Sequence, residues 1–456
     1  MNIQWDNRHG KVLVALLNEF DSNCIKYFIL RNYEQLPNGN TSKDVDIIIE
    51  PSKIKQANKI ITQVYRACGM THYYLTQFTW VYCWHAMNIK EKVSIHIDLI
   101  AGYRVKGHEI FTFEELYAQT DTYSEFKVLN PLYDGLMIFI YKQFGYHNPT
   151  LKRDYKESIS YAYNSFTSQF KHIIQSLIGK ELAEKVFAAI EEKDFDKMLS
   201  HHKELTKRLK YYSFLKSPSK VVGGSIWFYW LKSKRIILQR GKYIKTFSVM
   251  APDGAGKTTF LESLLDRIGF YFTKNVSYTH VYHFRPLLLP NLGAVGEKVK
   301  VMKQDTKFTT PHRAKPANPL SSLFRISYYW VDYVVGWFLY TAKDIQYDKF
   351  TVFDRYGYDL IVDPYRTRLD LPDWVRNLFV KLMPEPRISF YLDVEPDEIL
   401  RRKQELTHDE IIRQVKEYRK LAKRNKRIIT VDANRPVEEI TEKAIEIILD
   451  SFCKKI

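Results

Sequence analysis

A chain of 456 residues exceeds one ordinary core and, at about 100 to 200 residues per domain, divides into two or three. Its four cysteines, Cys24, Cys68, Cys83 and Cys453, are scattered without C-x-x-C spacing or an obvious framework, which suggests neither a disulfide scaffold nor a structural zinc site and points to a reducing, cytosolic setting. The formal charge of +17 attracts phosphates, whether of nucleotides, anionic glycans or a membrane surface, or serves solubility alone; no nucleic-acid motif accompanies it, so no nucleic-acid partner is expected.

The opening residues lack the charged flank, long apolar run and cleavage site of a secretory signal. "IKYFILR", "DVDIIIE" and "VSIHIDLIA" are β-branched runs of strand length separated by helical patterns, which predicts a small α/β domain over residues 1–125. Alternate residues of a strand point the same way, so Asp44 and Asp46 share a side, and Asp98 stands on a neighbouring strand. Three carboxylates so arranged suit two Mg²⁺ ions and nucleotidyl transfer; as structure alone they read as N-caps and strand-end turns. Over about the first 120 residues the pattern resembles nucleotidyltransferases of the polymerase-β type. That family carries a Gly-Ser pair upstream to hold nucleotide phosphates, where this chain has Arg31 and Asn32. The resemblance therefore implies either a catalytic domain or a retired fold that binds a ligand or partner.

Residues 126–215 switch to helical period. A linker over 216–242 follows, in which "SIWFYWLKSKRIILQR" places aromatics before bases, as suits a helix at a membrane interface or between domains. From 243 to 456, "TFSVM", "FTVFDRY", "ISFYLDV" and "IITVDA" alternate with long helical patterns, the signature of a parallel sheet. The apolar stretch "ISYYWVDYVVGWFLYTA" is short for a membrane span and contains Asp332, so it reads as a buried helix.

"FSVMAPDGAGKTTFLESLLDRIG" sets a phosphate loop between strand and helix. Gly254, Ala255 and Gly256 let the backbone curl around phosphates, Lys257 reaches the β- and γ-phosphates of ATP, Thr258 offers a hydroxyl to Mg²⁺, and Thr259 continues the turn. Ala251 replaces the first glycine of the pattern, which is tolerable unless the position needs a positive φ. The helix is expected to stop at Gly269.

"PDGAGKTT", "VFDRYGYD", "YLDVEPDEILRRKQE" and "VDANRPVEEI" together resemble thymidylate kinases over about the last 210 residues. The resemblance implies a nucleoside monophosphate kinase fold using ATP and Mg²⁺. Asp253 would face the acceptor's sugar hydroxyl, Asp354 would stand near Mg²⁺ and the reacting phosphates, Arg355 would steady the acceptor, and Tyr356 would join it there. Arg401, Arg402 and Lys403 would act from a mobile lid, or form only a solvated helix face. The family's Arg-Glu-Pro-Gly-Gly-Thr stretch is replaced by "THVYHFRPLLLP", and its thymine-reading helix by an aromatic one near His283, Arg285, His312 and Arg313. With donor machinery kept and acceptor machinery rewritten, the expected acceptor is a nucleotide other than dTMP or a sugar hydroxyl of a glycan, the latter with Asp253 as base. The aromatics read equally as helix core. Joined in one chain, the two halves are similar to bacterial proteins associated with surface polysaccharide synthesis, which implies a cytoplasmic protein, peripheral at the inner membrane face. The alternative is a nucleotide-gated binding or assembly module.

Overall fold

The computed structural model describes residues 5–40, 42, 44–145, 149–237, 245–272, 279–290, 316–341, 343–344, 347–403 and 406–456. The chain separates into two units, one of Asn2–Ser233 with Lys454–Ile456, the other of Lys234–Cys453.

The first unit opens with α1 (Asn7–Ser22), started by a capping box between Asp6 and His9. Then come β1 (Tyr27–Ile29), β2 (Val45–Ile49), α2 (Ile54–Ala67), β3 (His72–Phe78), β4 (Val81–Asn88), β5 (Val93–Ala101), α3 (Phe113–Tyr117), β6 (Thr120–Tyr123) and β7 (Phe126–Leu129). Helices α4 (Pro131–Gly145), α5 (Arg153–Ser165), α6 (Thr167–Ile178), α7 (Lys180–Glu191), α8 (Phe195–Ser200), α9 (His202–Lys216) and α10 (Pro218–Ile237) follow. The strands form a mixed sheet in the order β3-β4-β5-β2-β1-β7-β6. Because side chains alternate across a strand, Ile47 and Ile49 of β2 pack with Leu13, Phe20 and Ile61 of α1 and α2, while Ile48 packs with Phe139, Ile159 and Phe187 beneath α4, α5 and α7. Asp46 lies on the same side of β2 as Ile48, so the carboxylates emerge on the face covered by the later helices.

The second unit contains β8 (Thr246–Met250), α11 (Lys257–Tyr271), β9 (Thr279–His283), α12 (Pro319–Gly336), β10 (Phe350–Asp354), α13 (Asp359–Val362), α14 (Asp373–Lys381), β11 (Ile388–Asp393), α15 (Pro396–Arg402), α16 (His408–Arg424), β12 (Ile428–Asp432) and α17 (Val437–Phe452). Its five strands are all parallel, in the order β12-β11-β8-β10-β9. The first strand of the unit is thus central and buried throughout, as an all-parallel sheet with helices on both faces requires. A final strand, β13 (Lys454–Lys455), pairs antiparallel with β3 and completes the first unit's sheet.

Two local expectations change. Helix α11 does not stop at Gly269 but runs to Tyr271, because Ile268, Tyr271 and Phe272 continue its buried stripe; no positive φ occurs at Gly269. The apolar stretch is amphipathic rather than fully buried: Ile326 and Tyr333 are inside, while Val335 and Phe338 are 40% and 58% exposed. Among the described residues no helix is long and apolar enough to cross a membrane.

Candidate functional site

The loop from β8 to α11 turns on Gly254 and Gly256, both at a φ of 87°, where an L side chain is strained. A Cβ on Gly254 would also stand 3.1 Å from the Lys403 Cβ and 3.3 Å from Ile399 Cγ2. Ala251 is buried and has no positive φ, so alanine in place of the pattern's first glycine adds no backbone strain. Ala255 is buried beneath the loop, whereas Thr258 and Thr259 are exposed on the first turn of α11. Lys257 folds back on the loop: its Nζ donates to the carbonyls of Ala251 and Pro252 at 3.2 Å each and to Asp253 Oδ1 at 3.4 Å. Burial, with the neighbouring Arg355 guanidinium, pushes the Lys257 ammonium down to about 8.

Asp253 is the hub of the site. Arg355 donates to its Oδ1 and Arg366 to its Oδ2, so with Lys257 three cations surround one carboxylate. Burial alone would raise this carboxyl, but Arg355, Lys257 and Arg366 hold it at about 2. Such a carboxylate is a weak base, and in this arrangement it positions arginines. Arg355 follows β10 at a φ of 71°, a region that costs a non-glycine residue roughly 1–2 kcal/mol. A second bond, to Asp359 Oδ2 at 2.7 Å, fixes the guanidinium, and Asp359 in turn accepts from the Tyr418 hydroxyl at 2.8 Å. Arg366 was not expected from sequence. It lies beyond α13, and its backbone N–H and Nε both reach Asp363 at 3.3 Å.

Asp354 ends β10 beside β8, at the carboxyl edge of the sheet where open α/β proteins bind ligands. Its Oδ2 meets His283 Nδ1 at 3.1 Å, and His283 itself is 78% exposed on its side chain. The other oxygen, Oδ1, is buried and has no hydrogen-bond partner among the described residues. An acceptor left open next to a phosphate loop fits a hydrated Mg²⁺.

Of the two arginines expected in a lid, Arg401 is turned to solvent in a bidentate pair with Glu398 at 2.7 and 2.8 Å. Arg402 shares Glu398 at 2.8 Å, and its Nη1 lies 3.8 Å from where a Cβ on Gly256 would stand. Arg402 therefore overhangs the phosphate loop and Arg401 does not.

The acceptor-side residues divide. Arg285 is 3% exposed and spent within the fold: Nη1 reaches Asp332 Oδ2 at 2.5 Å and the Leu289 carbonyl at 2.9 Å, and Nη2 the Pro290 carbonyl at 3.1 Å. Asp332, fully buried, also accepts from the Leu289 N–H at 2.9 Å. Tyr356 is likewise buried, its hydroxyl bonded to the Pro384 carbonyl, so neither side chain faces the loop as a substrate contact would. His312 and Arg313 lie outside the described residues.

In the first unit Asp46 and Asp98 are register partners on the parallel strands β2 and β5, and oxygens of Asp44, Asp46 and Asp98 lie within 4.8 Å of one another. Arg31 intrudes, its Nη2 3.0 Å from Asp46 Oδ2 and its guanidinium 5.7 Å over the Tyr155 ring. Burial raises Asp46 to about 6, against the pull of Arg31 and with the push of Asp44 and Asp98. The triad fits a divalent cation by donor type and spacing.

The family model described as thymidylate kinase matches residues 313–444. That span holds Asp354, Arg355, Arg366, Arg401 and Arg402, while the phosphate loop precedes it. No curated protein matches the chain. Among solved structures, the chain is similar to thymidylate kinase from Ehrlichia chaffeensis, at 16% identity and a TM-score of 0.30, over 46% of this chain and 98% of that one. The family match supports a phosphotransferase of the nucleotide kinase type in the C-terminal part of this chain.

Proposed function

We propose that the second unit transfers the γ-phosphoryl group of ATP to an acceptor that carries its own phosphate. The observation that carries this reading is the meeting of Arg355 and Arg366 on Asp253, next to Lys257 and at the carboxyl edge of the parallel sheet. Lys257, released from the loop carbonyls, would pair with the β- and γ-phosphates among the loop amides. Thr258 and Asp354 would hold Mg²⁺, which when bound offsets charge on the β- and γ-oxygens. Arg402, overhanging Gly256, would meet the transferring group. An acceptor phosphate would take the place of the Asp253 carboxylate on Arg355 and Arg366, exchanging one anion for another in a bidentate fork.

A phosphate oxygen is ionised at neutral pH and needs no base, whereas a sugar hydroxyl does. Asp253, held at about 2, supplies that help poorly, which favours a nucleotide or sugar phosphate over a glycan hydroxyl. The engagement of Arg285 by Asp332, with the aromatic α12 alongside, supports an acceptor other than dTMP. The test is ADP release from Mg-ATP with dTMP, other nucleoside monophosphates, sugar phosphates and unphosphorylated glycans, with Lys257→Ala as blank. Stimulation by phosphorylated acceptors alone supports the reading; stimulation by a plain glycan, or turnover unchanged in the blank, overturns it.

For the first unit we read a nucleotidyltransferase-like domain retired to binding or assembly, gated by nucleotide in the second unit. The Arg31–Asp46 pair supports this, since it occupies a carboxylate that catalysis would give to a metal. Transfer of labelled nucleotide to any acceptor, lost in Asp98→Asn, would refute it. Peripheral attachment to an anionic membrane is supported by Trp227, Tyr229 and Trp230, exposed on α10 beside Lys234. Failure to sediment with anionic vesicles would remove that part of the reading.

A further inference from the structure

The sheet face that presents Asp98 also carries softer donors. Strands β4 and β5 run antiparallel, with Cys83 directly opposite Asp98 and His85 opposite His96. Residues two apart on a strand share a face, so Cys83, His96 and Asp98 leave the sheet together. A thiol sulfur, an imidazole nitrogen and a carboxylate oxygen from these three lie within 4.8 Å of one another. Cys83 is buried and forms no disulfide, and the side chains of His96 and Asp98 are 12% and 14% exposed.

We propose that Cys83, His96 and Asp98 form a binding site for a transition-metal ion of the Zn²⁺ class, separate in chemistry from the all-carboxylate set of Asp44, Asp46 and Asp98. Thiolate and imidazole select borderline-soft ions and discriminate against Mg²⁺, which prefers oxygen donors alone. The spacing agrees. Donors on a tetrahedral Zn²⁺ stand roughly 3.5 Å apart, given metal–donor bonds of about 2.0–2.3 Å. His96 Nε2 and Asp98 Oδ1 are 2.8 Å apart in a hydrogen bond whose proton the ion would displace, and the Cys83 sulfur lies within 4.8 Å of both. Three protein donors leave a fourth position for water, the form taken by open sites. Metal binding would also release the Cys83 thiol proton, so occupancy rises with pH.

Spacing in sequence conceals the site, because the ligands sit on facing strands instead of in a C-x-x-C loop. Asp98 belongs to both donor sets, so a Zn²⁺ ion takes it away from any hard cation held with Asp44 and Asp46.

The test uses the full chain, stripped with a chelator and dialysed against Zn²⁺ or Co²⁺. The expected result is one tightly bound equivalent, with a thiolate-to-Co²⁺ charge-transfer band that disappears in Cys83→Ser and persists in Asp44→Asn. Zn²⁺ affinity should fall by at least about 100-fold in Cys83→Ser. If that variant fails to fold by circular dichroism, His96→Gln, with the thiol intact, must show a comparable loss. Absence of bound metal in the parent chain, a band that survives Cys83→Ser, or unchanged affinity in the folded variants overturns the proposal.

Discussion

Raising the pH should weaken ATP binding through one named group. Burial and Arg355 move the Lys257 ammonium from 10.5 to about 8, a shift that corresponds to roughly 3 kcal/mol at 1.36 kcal/mol per unit. In the ligand-free loop the ammonium is less stable than in the unfolded chain, so the fold bears that cost in full below about pH 8 and gains stability as pH climbs from about 8 towards 10.5. A polyphosphate in the loop supplies countercharge and restores the ammonium. Above about pH 8, binding therefore takes up a proton, and affinity falls by up to tenfold per pH unit, about 300-fold in all if the shift is fully reversed. The phosphates contribute nothing to this slope, since their last pKa lies near 6. Titration calorimetry from about pH 7 to about pH 9, in buffers of different ionisation heat, measures affinity and proton uptake together. Lys257→Gln should bind weakly and without uptake. Flat affinity across that range, or uptake that survives Lys257→Gln, would refute the argument.

Arg285→Met leaves the buried Asp332 charge unpaired and should cost about 3–5 kcal/mol in denaturant unfolding, with Asp332→Leu in the same chain recovering most of it. Gly254→Ala forces a Cβ into the left-handed region against Lys403 and Ile399, which should remove about 1–3 kcal/mol and lower the melting temperature; Ala251→Gly should leave ATP affinity within about twofold. Arg366→Ala should raise the acceptor KM at least about tenfold with ATP affinity unchanged, read from steady-state kinetics with the best acceptor; equal loss for both substrates would contradict its placement on the acceptor side.

What the sequence makes legible is what is local. The phosphate loop is contiguous, and its glycines, lysine and threonine carry their chemistry in their spacing, so strand, turn and helix follow from a dozen residues. The three aspartates of the first unit were likewise readable, because strand alternation alone puts two of them on one side. Arg366 was hidden because its partner Asp253 stands 113 residues away and only the sheet order unites them. The pair of arginines in "PYRTRLD", one helical turn beyond "DRYGYD", was the available signal. Arg285 misled for the opposite reason: a basic residue near an expected acceptor pocket says nothing about the aspartate, 47 residues on, that claims it. Tyr356 followed a motif into the core, since a motif fixes where the backbone goes and packing decides where a large ring can turn.

The pairing of Lys454–Lys455 with β3 sets terms for anyone dividing this chain. Strand β3 would be the edge of its sheet without that short cover, and an uncovered edge recruits strands from other molecules. A fragment cut after α10 would thus keep its core yet lose its guard, and would be prone to clump during purification even when correctly folded. Supplying the missing strand as a fused peptide, or placing a lysine or proline on the outer edge of β3, is the remedy that follows.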